Sequence, residues 1–388
     1  MTLPQTILLA LALSFAAADA DRTRDWPEFR GPSGQGLSSA RDLPTSWSTT
    51  EGVVWKSPVP AGWASPVLKD GKLVLAASRE KEGKTSLGVL QVDATTGKIL
   101  WEQWPFTPTK EEIEARHAKN GLASGTPVLA DGRVYAHFAH MGTAALDFTT
   151  GEVLWKRQFE YAPMHGTGSS PVRVDDLLIV HADAKVDPTL IAVHAKDGRD
   201  AWRVPRNQEV TRTFSFSTPL AIENHKRTEL ISPASGFVGA YAPQDGRLLW
   251  KVRYGEGYSV VPRPVFHGGL LFVASGFNRP NLLAINPAGA EGDVTKTHVV
   301  WETHRWIPKT PSFVASGGLL YILDDTGSLS CRKAASGDLQ WREKLRGNFS
   351  ASPVLAGKHL YCCSEDGVCF VVEVSEKEAQ ILSEIDME

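Results

Sequence analysis

The sequence predicts an all-β protein, a β-propeller built from four-stranded antiparallel blades. Three observations carry this. First, one grammar recurs along the chain. The stretch from Ser65 to Trp101 reads as a Ser-Pro start, short apolar runs split by an Asp-Gly and a Thr-Gly turn, and a closing Trp. It returns at Thr126, Ser170, Thr218, Arg263, Pro311 and Ser352. Second, Trp residues close the copies at Trp101, Trp155, Trp202, Trp250, Trp301 and Trp341, and with Trp55 they are spaced 40 to 54 residues apart. A period of that length with internal turn signals indicates a propeller or solenoid. Third, glycine-bearing turns separate runs rich in Val, Leu and Tyr, which is the chemistry of hairpins.

The physical logic follows from burial. A lone four-stranded blade has two apolar faces and can cover neither, whereas blades packed around an axis cover both. The Trp of each outer strand is expected to wedge between neighbouring blades. Each buried indole then contributes about 2 kcal/mol or more. These Trp residues are therefore read as structural.

In chain order, residues 1–20 look like a secretory signal peptide. The apolar run Ile7–Ala18 is too short to span a bilayer, and Ala18-Asp19-Ala20 fits a cleavage site. Residues 21–50 form an irregular N-terminal arm anchored by Trp26, Phe29 and Trp47, and the propeller occupies residues 51–388. Val53–Trp55 reads as a short strand. Two insertions interrupt the repeats. One, Trp104 to Ser124, carries a short surface helix. The other, Pro287 to Thr297, is a Gly-rich loop. The last copy contains a full set of four strands. The expectation is thus seven complete repeats, with Val53–Trp55 as the clasp of an eighth blade left incomplete.

Composition narrows the function. The chain has 388 residues, 42% hydrophobic and 22% charged, with a formal net charge of -3. There is no electrostatic case for nucleic acid and no polybasic tail for a membrane surface. No stretch after the leader is long and apolar enough for a transmembrane helix, and the mature chain is expected to be a monomer. Four cysteines, Cys331, Cys362, Cys363 and Cys369, do not make a disulfide scaffold. Cys363 and Cys369 flank a turn and are placed to face each other across a hairpin, with free, buried strand thiols as the other reading. No metal site is expected. His137 and His140 are three apart in a predicted strand and so point to opposite faces, and Asp324-Asp325-Thr326-Gly327 is a hairpin turn rather than a calcium loop.

The copies TPVLADGRVYAHF…TAALDFTTGEVLW (Thr126–Trp155) and SPVLAGKHLY (Ser352–Tyr361) resemble the pyrroloquinoline quinone (PQQ)-like β-propeller repeat. The arm WPEFRGPSGQG is similar to the opening of a bacterial exported subfamily of such proteins. The resemblance spans Asp25 to the end and implies export to the periplasm or beyond. It implies one of two activities. Quinoprotein alcohol dehydrogenases hold PQQ with calcium in the propeller funnel, under an adjacent Cys-Cys pair. Non-catalytic members include an outer-membrane assembly lipoprotein. Cys362-Cys363 is adjacent but sits in a strand of the last repeat, where alternation sends one sulfur to each face. The primary expectation is therefore a non-catalytic exported scaffold or binding module, without cofactor, for a protein or glycan partner. The alternatives are a PQQ-dependent oxidoreductase with calcium, and a small-ligand-binding or hydrolytic propeller.

The candidate contacts lie just before each Ser/Thr-Pro start, in loops that should ring one mouth of the central channel. They are Trp63, His165, Arg212 with Phe214, Tyr258 with Arg263, Arg305 and Trp306 after His304, Lys309, and Phe349. Cations and aromatics outnumber acids there. That mixture suits a carboxylate, phosphate or sugar through Arg contacts and ring stacking. The alternative is that large side chains simply plug the channel.

Overall fold

Among the described residues, seven sheets, each built on four antiparallel strands, succeed one another along the chain, and two of them add a short parallel fifth strand. The structure, a computed structural model, describes residues 25–387 except 118–119, 167, 207–209, 226 and 278. The expected signal peptide lies outside the described residues. Blade 1 comprises Val67–Lys69, Lys72–Lys81, Lys84–Asp93 and Ile99–Phe106. Blade 2 runs from Val128 to Arg157, blade 3 from Val172 to Pro205 and blade 4 from Leu220 to Arg253. Blade 5 covers Val265 to Thr303, blade 6 Val314 to Lys344 and blade 7 Val354 to Asp386. First strands of blades 1 and 2, 2 and 3, and 5 and 6 touch, and the N-terminal arm bonds to the first strands of blades 1, 2 and 7, so the first strands line the axis while the Trp-bearing fourth strands lie outside.

Six apolar clusters fill the spaces between successive blades. The Trp residues lock these spaces. Trp101 donates from Nε1 to the Phe148 carbonyl, Trp155 to Ala195, Trp202 to Pro243, Trp301 to Ala334 and Trp341 to Ser375, at 2.8–3.3 Å. Each acceptor lies in or beside the turn before the outer strand of the next blade. Gly151 shows why that turn carries glycine. Its φ is +75°, and a Cβ there would sit 2.6 Å from the Trp101 ring. Trp250 differs, because the Pro287–Thr297 insertion replaces the short turn. Strand Gly292–Asp293 of that insertion pairs in parallel with Trp250 and Lys251. Fully buried, Trp250 donates instead to Glu229 within its own blade, at 2.9 Å.

A second ladder explains the Ser/Thr-Pro starts. The N–H of Ser65 donates to the Thr126 hydroxyl, Thr126 to Ser170 and Ser170 to Thr218. Arg263 donates to Ser312, and Ser312 to Ser352. Proline follows the hydroxyl residue at Thr126, Ser170, Thr218 and Ser352, so there the bonded N–H belongs to the residue before it and the ladder loses no donor, whereas at Ser312 the proline, Pro311, comes first.

Val53–Trp55 is not a strand, contrary to expectation, and among the described residues it pairs with no sheet. It belongs to a strap running from blade 7 to blade 1. At blade 7, Tyr361 donates to the Pro44 carbonyl, Ser383 donates to Thr45, and Trp47 stacks on Tyr361. At blade 1, Trp55 donates to Ala94 at 2.9 Å and covers Gly97. Trp55 thus does for blade 1 what an outer-strand Trp does elsewhere, without being in a strand.

The arm enters the channel. Trp26 exchanges backbone hydrogen bonds with Leu68 of blade 1, and Leu129 of blade 2 donates to Pro27. Arg30 donates to the Phe313 and Gln35 carbonyls, Leu355 of blade 7 donates to Gly36, and Leu37–Ser38 pairs in parallel with blade 7. The insertion helix is short, Lys110–Glu114, and starts at a capping box on Thr109. His140, expected in a strand with His137, sits in the 3-10 turn Ala139–Met141 that ends it. Cys363 and Cys369 face each other in register with Sγ atoms 3.3 Å apart, while Cys331 and Cys362 are buried between blades 6 and 7.

Two outcomes test these links. Trp301→Phe keeps the ring but removes the indole donor to the Ala334 carbonyl, and should lower the unfolding free energy in urea by about 1 kcal/mol. Arg263→Met removes the partner of Glu28 and the donor to Phe29. It should cost about 3 kcal/mol and speed tryptic cleavage at Arg30, read by limited proteolysis.

Candidate functional site

The outer strand of each blade ends on the same side as the connection between its second and third strands. These loops build one mouth of the channel. Across it runs a chain of aromatic rings. His117 and His165 meet edge-on at 5.2 Å between centroids, and His165 meets Phe214 at 5.5 Å. Phe214 contacts Phe216 and Tyr258, and Tyr258 contacts Phe277 at 5.8 Å. Cations cap the chain. The Arg212 guanidinium lies 4.4 Å over the Tyr258 ring and donates to its hydroxyl, and Lys309 Nζ lies 4.8 Å over Phe277. Burial, then His117, pushes His165 below the ordinary histidine range. Phe277 remains 46% exposed. Trp63, 64% exposed, packs on the backbone of Gly121 in the loop whose Asn120 donates to the His165 carbonyl.

The sequence candidates therefore separate into groups. Trp63, His165, Arg212, Phe214, Tyr258 and Lys309 stand at the mouth. Arg305 and Trp306 turn outward, toward Arg332 and Arg342 of blade 6. Arg263 is not a mouth residue. It is 1% exposed and donates inward to Pro219 and Phe29, with Glu28 at 3.3 Å. It stands where other repeats carry the ladder hydroxyl, and its length reaches the arm instead. Phe349 is likewise buried, in the core between blades 6 and 7. The sequence reading missed Phe277, which lies outside the loops before Ser/Thr-Pro, and passed over Phe216 and His117, which lie within them. Phe277 lies between the second and third strands of blade 5.

Beneath the rim lies a buried ionic chain that the sequence reading also missed. Arg206 Nε is 3.2 Å from Asp183, Asp183 is 2.8 Å from His181 Nε2, and all three side chains are fully buried. His181 Nδ1 faces the Ser217 carbonyl at 2.8 Å, and His137 Nδ1 pairs with the Thr143 hydroxyl at 2.7 Å. A narrow pocket beside them holds about 10 Å³, room for about one water. Burial lowers the pKa of His181 against the pull of Asp183. Burial also raises the Tyr161 phenol, and Asp183 adds to it. The elements of a Ser-His-Asp relay are present but not assembled. Ser217 offers His181 its carbonyl, while its hydroxyl donates to Pro262.

The residues present do not fit a quinone with calcium in the funnel. The axis is occupied by the arm with Arg30 and Arg263. Among the described residues no group of three His, Cys, Asp or Glu could hold a metal ion. Cys362 is buried and Cys363 exposed, on opposite faces of their strand.

The repeat, the seven blades and the strand order can be set beside known proteins. The family model described as outer membrane protein assembly factor BamB matches residues 37–163, 87–294 and 292–382. The chain belongs to this family. It is 27% identical over 214 residues to outer membrane protein assembly factor BamB of Legionella pneumophila (strain Paris), covering 53% of this chain and 51% of the relative. The chain thus spans about half the length of that relative. It is 24% identical over 315 residues to quinohemoprotein alcohol dehydrogenase ADH-IIG of Pseudomonas putida, covering 75% of this chain and 38% of the enzyme. Among solved structures, BamB from Moraxella catarrhalis superposes with a TM-score of 0.58 at 15% identity, over 84% of this chain and 89% of that one. That likeness shows a shared fold.

The buried histidines set an acid limit. Burial, then His140 and His181, push His137 down to about 3. An unfolded histidine titrates near 6.5, so between these values the unfolded chain binds more protons. The contribution of His137 is complete above about pH 6.5 and is lost as pH falls toward 3. Between pH 7 and pH 4 the parent protein should lose about 3 kcal/mol more stability than His137→Gln, measured by urea unfolding at each pH.

Proposed function

We propose that this chain is an exported, non-catalytic propeller that docks a protein of outer-membrane assembly through the aromatic and cationic rim of its mouth. One observation carries the reading. Phe277, Trp63, Arg212 and Lys309 are presented outward on a ring of loops held by the blades beneath. Exposed rings and Arg residues on a rigid frame are the composition of binding hot spots. The family supplies the partner class, since its members are described as outer membrane protein assembly factors. The leader-like residues 1–20 support export. Among the described residues no helix is long and apolar enough to cross a membrane.

A glycan is the second reading, because exposed rings such as Trp63 and Phe277 can also stack on a sugar face. An oxidoreductase is disfavoured by the filled channel.

The test is binding of the purified chain to outer-membrane assembly complexes isolated from cells lacking it. Arg212→Ala combined with Phe277→Ser should weaken that binding tenfold or more, on the order of 2 kcal/mol, with the thermal midpoint unchanged. Unaltered binding by the double variant refutes the rim as the docking surface. A thermal shift with acidic or neutral glycans that disappears in Trp63→Ala would assign the rim to a glycan instead.

A further inference from the structure

The outer cleft between blades 5 and 6 carries a second constellation, away from the aromatic rim. Arg332 and Arg342 come from the outer strands of blade 6, and both flank the indole of Trp306 on the loop leaving blade 5. The Arg342 guanidinium is 4.6 Å from the ring centroid and that of Arg332 is 6.0 Å away. Arg305 adjoins them, its carbonyl accepting from Arg332 at 3.4 Å. Its charge also depresses the Arg332 pKa, after burial. Among the described residues none of the three arginines is in an ion pair. Three cations meet without a carboxylate.

Two buried polar atoms point to what is missing. Arg332 is 6% exposed, its Nη atoms occupied by the carbonyls of Gly337 and Arg305, yet its Nε has no partner. The Ser330 hydroxyl is fully buried and also unpartnered. Ser330 and Arg332 alternate with Leu329 and Cys331, which pack toward blade 7. Both therefore face blade 5, and Ser330 lies directly opposite Arg342 in the strand register. A donor left buried without an acceptor is costly, as is an Arg cluster without an anion. Trp306 is itself held at φ +58°, a conformation rare for a bulky residue.

We infer that this cleft binds a phosphate group, held by Arg332, Arg342 and Arg305 with the Ser330 hydroxyl, beside the Trp306 ring. A tetrahedral oxyanion offers acceptors in several directions, as a set of converging guanidinium forks and a hydroxyl requires. Arg305 and Arg342 are exposed, so the group can arrive as free phosphate or on a lipid headgroup.

The test titrates inorganic phosphate into the protein by calorimetry. A parallel arm measures co-sedimentation with phosphatidylglycerol vesicles against phosphatidylcholine vesicles. Saturable binding in either arm is expected, and it should fall tenfold or more in Arg342→Gln, while Lys309→Gln at the rim leaves it unchanged. Phosphate binding assigns the free ion, and vesicle binding alone assigns the headgroup. Arg342 is exposed, so its variant keeps the fold. Arg332→Gln, checked by its unfolding curve, should abolish binding. Binding in neither arm, or binding equal in parent and Arg342→Gln, overturns the assignment.

Discussion

The structure depends on how one blade holds the next. Each blade is a twisted sheet with two apolar faces, and burial alone would let neighbours slide. Two directional links prevent this. On the outside, an indole N–H reaches a turn carbonyl of the following blade. Near the axis, a backbone N–H reaches the following hydroxyl. Each link crosses between neighbouring repeats, so the ring is a chain of nearest-neighbour couplings. The Trp, the turn glycine and the Ser/Thr-Pro start recur because each serves a neighbouring blade as well as its own.

The departures from that pattern are where individuality enters. At position 263 the ladder hydroxyl gives way to arginine, and the arm is clamped along the axis. At Trp250 the short turn gives way to an insertion, and the indole turns inward to Glu229. With the axis filled, the surfaces left for recognition are the mouth and the outer clefts. The rim and the Arg305–Arg342 cleft occupy these two places.

Much of this was legible in the chain. The turns and the outer Trp residues pointed to blades, and cations with aromatics before each Ser/Thr-Pro pointed to the mouth. His165, Arg212, Phe214, Tyr258 and Lys309 do meet there or beside it. Arg263 and Phe349 share the same loop positions and are buried, because loop position does not decide which way a side chain turns. Val53–Trp55 had a strand's composition but joins no sheet, its Trp being held by the Ala94 carbonyl of blade 1 instead. The His181–Asp183–Arg206 chain gave no motif, since its spacing follows from one blade's second strand and fourth-strand exit rather than from local pattern.

By itself, the sequence determined the repeat, the strand alternation and the turns, because these rest on contacts within a few residues and recur in every copy. The tertiary structure decided the strap between blades 7 and 1, the arm in the channel and the grouping of the arginines. Those depend on contacts such as Arg30 to Phe313, 283 residues apart. No local pattern encodes such a pairing. It exists only once the blades have set the distance between its ends.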